Sequence, residues 1–564
     1  MKKKSLFVMA ILAVSATAAQ GQGIMGGHVT GQVQLDGQMS RADSTIGAQD
    51  VPERLLMNAR ADIMYTNGDF SAGLRFEMYQ NPLLGFDAEY KGQGIANYFV
   101  SYNSKRLSVT AGNFYEQFGN GLILRTYEDR NLGLDNSLFG LGVQFRPVEG
   151  VTLKAVAGKQ RVYWGYGEGL VRGVDAEVNL GSIVKAMRES KFRATVGAGF
   201  VSKYEEDESI PSAANAEMRL NLPLNVGAAS VRADVGWGNW SLQAEYVRKG
   251  QDPSAIQRVP FGDKIYGYIY RPGEAMLLGL SYSQRGFSAS LQAKRIDNMG
   301  FKSVRSRSGE MLYINYLPAI TKNHTYAFLA MYPYATQVNG EQGLQGDVMY
   351  KFKKGTLLGG KYGMDVHVNS AVVVGLDTTV TGGAGTEGYE TSGGLGQTLY
   401  GDVSVEVAKK LSKSVKATVT YAYQVFNPVV ENEPGSLHHN NIVVADVSWK
   451  VNKKHSLRFE AEWMGSDSHY DAADPEHSDR RAGDWVMGLV EWNIGSHWFV
   501  SASDQYAYHD GTGNYPNVAV GYTSGATRLQ VGYGKQREGM LCIGGVCRLV
   551  PASNGLTFSL TTSF

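Results

Sequence analysis

The feature that most constrains this chain is a run of alternating apolar and polar residues that recurs from near the N-terminus to the last residue. Residues 69–80 place Phe70, Ala72, Leu74, Phe76 and Met78 on one face of an extended strand and Ser71, Gly73, Arg75 and Glu77 on the other. Residues 286–297 set Phe287, Ala289, Leu291 and Ala293 against Ser288, Ser290, Gln292 and Lys294. Residues 454–465 set Leu457, Phe459, Ala461 and Trp463 against Arg458, Glu460 and Glu462. A strand buried on both faces would not carry so polar a side. About 26 such runs can be marked, each of roughly the 9 to 11 residues that a tilted strand needs to cross a bilayer. Among them are 311–319 and 325–334; the first is weakly patterned, so the count is bracketed at about 22–26.

The connections between runs obey a parity. Asn67-Gly68, Ser104-Lys105, Gly238-Asn239, Arg285-Gly286, Asn452-Lys453 and Ser524-Gly525 are tight, with Gly181 to Ser190 the longest exception. Between them fall long connections such as 117–136, 250–273, 369–397, 466–483 and 538–554. Short turns at one end and long loops at the other, with an even strand count, describe a single transmembrane antiparallel β-barrel with periplasmic turns and extracellular loops. A propeller would repeat a motif every 40 to 50 residues or so, and no such repeat is present.

Composition agrees. Mean hydropathy is −0.23, as expected where lipid-facing residues alternate with wet ones. Glycine is 69 of 564 residues and tyrosine outnumbers phenylalanine 32 to 21, fitting tight turns and interfacial aromatic girdles. Net charge is +1, which gives no footprint for nucleic acid. Lys2, Lys3 and Lys4, the apolar stretch Leu6 to Val14 and the small residues Ser15 to Ala19 form a secretory signal pattern. The expected division is a cleaved signal peptide over 1–21 and a barrel over 22–564.

The chain ends on Leu556, Phe558, Leu560, Thr562 and Phe564 alternating with Thr557, Ser559, Thr561 and Ser563. This strand resembles the C-terminal signal of bacterial outer-membrane barrels, with Phe564 as the residue that the barrel-assembly machinery reads. It is also expected to close the sheet, because an unpaired edge in lipid leaves backbone groups without partners. The resemblance implies a location in the outer membrane of a Gram-negative bacterium. Lipid and lipopolysaccharide would surround the barrel there, with other outer-membrane proteins as further candidate partners.

Residues that could carry chemistry are few. Cys542 and Cys547 lie in the last external loop, and export to an oxidising space predicts a disulfide that staples it, with Gly544-Gly545 permitting the tight ring. Loop 466–483 concentrates His469, Asp471, Asp474, Glu476, His477 and Asp479; these are weak metal candidates, since solvated external loops are commonly acidic and no defined metal-loop spacing is present. No nucleophile, base and orienting group fall together, so neither an enzyme nor a cofactor is expected. Segment 117–136 mixes aromatics with Arg125, Glu128, Asp129 and Arg130. It reads as an ordinary aromatic rim, with an inward, lumen-constricting fold as the alternative. The expected lumen-facing charges are Arg75, Glu77, Asp175, Glu177, Arg232, Asp234, Glu245, Lys294, Asp402, Glu406, Arg458, Glu460 and Glu462. Their mixed sign suggests a wet, internally paired lumen rather than a single-sign selectivity ring.

The segment from Arg537 through Cys542-Ile-Gly-Gly-Val-Cys547 to Pro551 and Gly555, followed by the Phe564-terminated strand, resembles the end of an uncharacterised family of outer-membrane barrels from the Bacteroidota. That resemblance implies fold and location and brings no catalytic residue. The first strand is expected within about ten residues of the cleavage site, leaving no N-terminal plug of the kind found in 22-stranded transporters. Such a barrel is open, blocked by its own loops, or filled by another protein. The function expected first is a passive, TonB-independent channel. The alternative is a structural or accessory barrel within an outer-membrane assembly, secretion or surface-display complex.

Overall fold

Alternating runs separated by tight turns pair with their sequence neighbours, and the result is a meander closed on itself. The computed structural model describes residues 26–564 apart from 207, 213–216, 262–263, 308, 310, 382–385, 432–434, 471–478 and 510–512; the expected signal peptide lies outside the described residues. The wall begins with β1 (His28–Arg41), β2 (Leu56–Asn67), β3 (Phe70–Asn81), β4 (Gly92–Asn103), β5 (Leu107–Phe114) and β6 (Leu138–Phe145). It continues with β7 (Val151–Val162), β8 (Gly165–Asn179), β9 (Phe192–Tyr204), β10 (Asn225–Trp237), β11 (Trp240–Lys249), β12 (Gly273–Gln284) and β13 (Phe287–Asp297). Then come β14 (Gly340–Phe352), β15 (Met364–Val380), β16 (Tyr389–Lys410), β17 (Val415–Phe426), β18 (His438–Lys450) and β19 (His455–Ser466). The last are β20 (Trp485–Ile494), β21 (Trp498–Ala507), β22 (Asn517–Ser524), β23 (Thr527–Gln536) and β24 (Ser553–Ser563). A short piece, Gly513–Asn514, pairs with the end of β21 and makes the hydrogen-bonded sheet 25-stranded.

Closure is made by β24 on β1, antiparallel, with Leu560 opposite Leu35. Gly31 and Phe564 exchange both backbone hydrogen bonds at 2.9 Å, so no edge is left open at the last residue. A Cβ on Gly31 would lie 2.3 Å from the Phe564 ring, and one on Gly37 2.1 Å from Phe558. Glycine in β1 is what lets those two rings lie across the seam.

Outside, Leu74, Phe200, Val231, Leu291 and Phe459 are exposed around the wall, a band that only lipid can cover. Near the short turns, Trp240, Tyr282, Phe287, Tyr350 and Phe352 form a chain of ring contacts across β11 to β14, with successive centroids 4.8, 6.0, 6.4 and 4.7 Å apart. This is the expected interfacial girdle. The long turn after β8 is filled by two helical turns, Leu180–Ile183 and Lys185–Arg188.

The strand count of about 26 is close, and two of the marked runs are corrected. Residues 311–319 and 325–334 are not wall strands; both belong to one connection, 298–339, between β13 and β14. Their apolar residues are buried for a different reason, set out below. The stretch 369–397, read as a loop, is largely an extension of the β15–β16 hairpin, with register shifts at Val373 to Thr378.

Candidate functional site

The inner face of the wall changes character along its height. Toward the long-loop end, Val171, Val201, Val226, Val247, Ile296, Ile442 and Met464 point inward and are buried. Toward the short turns the same face carries Glu177, Asp234, Gln292 and Ser448, which are exposed. The half of the lumen at the long-loop end is therefore packed, and the half at the short-turn end is open to solvent.

What packs it is the chain's own loops. Segment 115–137 folds inward, burying Phe118, Leu122, Ile123 and Leu124 against β7 to β13 together with Phe301 and Ile314 of segment 298–339. Segment 298–339 also sends Phe328, Leu329, Met331 and Tyr332 against Ala422, Phe426, Ile442, Met464 and Trp485. The two segments are hydrogen-bonded to each other: Arg125 N–H to Ile314 O and Tyr316 N–H to Gly121 O, both at 2.9 Å. Segment 250–272 lies against them through Ala255 N–H to Arg305 O at 3.0 Å. The rim reading of 117–136 is thus corrected, since its aromatics and aliphatics meet a lumenal apolar wall rather than lipid. Arg125 stacks on Tyr316, 3.9 Å from the ring centre.

A third inward element is the C-terminal hairpin Gly539–Ile543/Val546–Val550, stapled by the Cys542–Cys547 disulfide. Gly544 and Gly545 turn it with φ of +61° and +91°, the left-handed region where glycine is unstrained. Its tip docks on segment 298–339: Tyr316 OH donates to Gly544 O at 2.7 Å, and Thr336 N–H donates to Gly545 O at 3.1 Å.

The charged residues named from the sequence hold these loops or each other. Arg75 binds Asp135 at 2.8 Å, Glu128 at 3.0 Å and Asp62 at 2.9 Å, while Arg161 binds Glu77 and Asp135, each at 2.6 Å. Arg60 pairs with Asp62 and Glu128, and Arg130 lies 3.5 Å from Glu128 and 3.6 Å from Asp62. Four arginines and four carboxylates, from wall and loop alike, thus form one balanced cluster. Elsewhere Glu245 accepts the Asn120 backbone N–H at 2.9 Å, Asp402 meets His324 at 3.1 Å, and Lys294 donates to Pro318 O. Glu462 accepts the N–H groups of Ala327 and Phe328. Arg232 forms a bidentate pair with Asp175 at 2.7 and 2.8 Å and reaches Glu177 at 3.3 Å. Arg458 bridges Asp446 and Glu460, and Glu406 is half-buried in β16.

Segments 115–137 and 298–339 lean on β5 to β21. On the seam side a cavity of about 920 Å³ remains, bounded by Gln34, Gln38, Gln505 and Gln530 of the wall and by Met540 and Arg548 of the hairpin. Arg548 is held by the carbonyls of Leu84 and Asn131 and stacks 4.3 Å over Phe86. The signal for this plug was present in the sequence as Val247 beside Glu245, Ile296 beside Lys294 and Met464 beside Glu462, apolar residues on the wet face near the long-loop ends.

At the rim, Asp43 is bound by Lys535 at 2.7 Å, Asn554 at 2.8 Å and Thr45, and these bonds hold its carboxyl well below the usual carboxylate range. Of the acidic external loop, Asp471, Asp474, Glu476 and His477 lie outside the described residues. Asp479 pairs with Arg481 at 2.8 Å, and Arg481 also binds Glu431 at 2.6 Å and stacks on Tyr332. Burial pushes the Asp479 carboxyl up, but Arg481 outweighs it and the net shift is downward. His469 stands instead beside Asp484 and His509.

A closed, lipid-banded meander with its own loops folded into the lumen is a large β-barrel of the outer-membrane type. The chain belongs to DUF6029, a family of unknown function, whose pattern matches residues 1–564. No curated protein matches it. Among solved structures it is similar to the translocation pore of the P pilus usher PapC, at 11% identity and a TM-score of 0.41, covering 95% of this chain and 99% of that one. It is also similar to a variant of the ferric enterobactin receptor PfeA from Pseudomonas aeruginosa (10%, TM-score 0.42, 95% and 81% covered). A third is OccK9 (OpdG) of the same organism (14%, TM-score 0.37, 76% and 99% covered). At these levels none of them bears on what this chain does.

Proposed function

We propose that this protein is a TonB-independent outer-membrane pore that is closed at rest by its own loops and opened by movement of the C-terminal hairpin 538–552. It would sit in the outer membrane of a Gram-negative bacterium, surrounded by lipid and lipopolysaccharide, after export on a cleaved signal peptide and insertion by the barrel-assembly machinery. The observation that carries the reading is the contrast in how the plug segments are held. Phe118, Leu122, Ile123, Leu124, Phe301, Ile314, Phe328, Leu329 and Met331 are all 2% exposed or less. At about 1.5–3 kcal/mol for each fully buried large side chain, removing that body as one piece is beyond thermal reach. Residues 539–551 of the hairpin are only half-buried or exposed, and the tip is attached by hydrogen bonds to Tyr316 and Thr336. The hairpin is the inexpensive part to move, and it borders the polar cavity beside the seam.

Single-channel conductance of the refolded protein tests this, with the intact chain, a chain whose residues 540–549 are replaced by a short Gly-Ser turn, and a chain lacking 300–337. Silence from the intact form and steady conductance from the hairpin replacement are the expected result. Large steady conductance from the intact form means an open porin and rejects the gate. Conductance only after removal of 300–337 places the closure in the wider plug. The same buried body favours a second reading, an accessory barrel whose lumen never opens, and silence from all three chains would select it.

A further inference from the structure

We propose that His469, Asp484 and His509 form a binding site for a divalent transition-metal ion of the zinc class on the external rim. The three residues come from separate stretches: His469 follows β19, Asp484 precedes β20, and His509 follows β21. One carboxylate oxygen of Asp484 is fixed by the Ser466 N–H at 3.0 Å. The other faces His509 Nδ1 at 3.7 Å and His469 Nε2 at 4.0 Å. The two imidazoles lie side by side, ring centres 4.1 Å apart and tilted 36°, and the candidate ligand atoms all fall within 4.8 Å of one another.

The carboxylate-to-ring separations are too long for direct hydrogen bonds. All the separations are wider than the spacing a metal imposes, since tetrahedral bonds of about 2.1 Å set neighbouring ligand atoms about 3.4 Å apart. Both histidines are exposed and Asp484 is half-buried, so side-chain rotations that bring the ligand atoms closer by up to about 1.4 Å close the difference without moving the wall. Two imidazole nitrogens and one carboxylate oxygen suit zinc, copper or nickel rather than calcium or magnesium, which take oxygen. Three protein ligands leave a fourth position for water. The site also sits beside a reporter, because Trp463 Nε1 donates to Tyr508 OH at 3.1 Å and Tyr508 precedes His509.

The test is a Zn²⁺ titration of the full-length, detergent-solubilised protein against a chromophoric chelator, repeated with Co²⁺ to read the ligand-field spectrum. One saturable equivalent is expected for the native chain, with a change in tryptophan emission and no competition from excess Ca²⁺. His469→Ala, His509→Ala and Asp484→Asn should each weaken it by at least the roughly ten- to hundredfold that loss of an outer-shell partner costs, while His439→Ala, next to Asp467 on the same rim, should not. Heat-modifiable mobility on gels shows that each variant is folded. Absence of a saturable equivalent in the native chain, or its survival in the His469→Ala/His509→Ala double variant, overturns the proposal.

Discussion

The carboxylate of Glu462, on the lumenal face of β19, receives the backbone N–H of Phe328 at 2.9 Å and that of Ala327 at the same distance. It thereby fixes the entry of the most buried part of segment 298–339. Hydrogen bonds to a buried carboxyl acceptor contribute about 0.5–3 kcal/mol each, depending on its charge, and about 1.4 kcal/mol is a factor of ten. Glu462→Ala should therefore raise amide exchange at Ala327 and Phe328 by about tenfold or more, with Glu462→Gln in between. Unchanged exchange would show that apolar packing alone seats the segment.

The disulfide between Cys542 and Cys547 closes a small ring, for which the chain-entropy model gives about 2 kcal/mol. Reduction, or the Cys542→Ser/Cys547→Ser pair, should loosen the hairpin without melting the wall. Limited proteolysis reads this as faster cutting between residues 538 and 552, with the heat-modifiable barrel band retained. A cutting rate equal to that of the oxidised protein would sink the idea.

Asp43 ties the first external loop to the seam strands through Lys535 and Asn554. Its folded pKa lies below the unfolded value, chiefly because of the bond to Lys535. The sign follows: the contribution is fully present above about pH 4, the ordinary aspartate range, and is lost as pH falls through the depressed folded value. Asp43→Asn should lower the thermal midpoint at pH 7, and the gap from the native chain should narrow on acidification below about pH 4. A gap that stays constant down to pH 2 or so would remove the ionic part of this account.

At the seam, the space over Gly31 is occupied by the Phe564 ring. Gly31→Val forces the two together, an overpacking that typically costs about 1–3 kcal/mol, and should reduce the heat-resistant folded band. Adding Phe564→Ala to that variant relieves the clash. Partial recovery in the double variant would mark the defect as one of packing; no recovery would mean that Phe564 itself is needed for folding.

The wall was legible because alternation is local: residues 69–80 or 454–465 declare a strand from their own side chains. The runs at 311–319 and 325–334 misled for a physical reason, since Ile314, Leu317, Phe328 and Tyr332 are buried against the barrel's inner face, and burial in a plug leaves the same apolar imprint as burial in lipid. Turn parity could not expose the error, because removing two strands keeps an even count. The inward turn of 115–137 rests on contacts such as Arg75 with Asp135, sixty residues apart, which no local pattern encodes. The rim histidine His509 and Asp484 went unmarked because they join His469 only once β19, β20 and β21 are side by side.

The plug segments sit between β5 and β6, between β13 and β14, and between β23 and β24. The last of them ends at the strand that completes the cylinder. The stretch from 537 to 564 thus supplies both the stapled inward hairpin and the strand that pairs with β1. The seam of the wall and part of the filling of its lumen therefore depend on one contiguous stretch of chain, so a single lesion there can reach both.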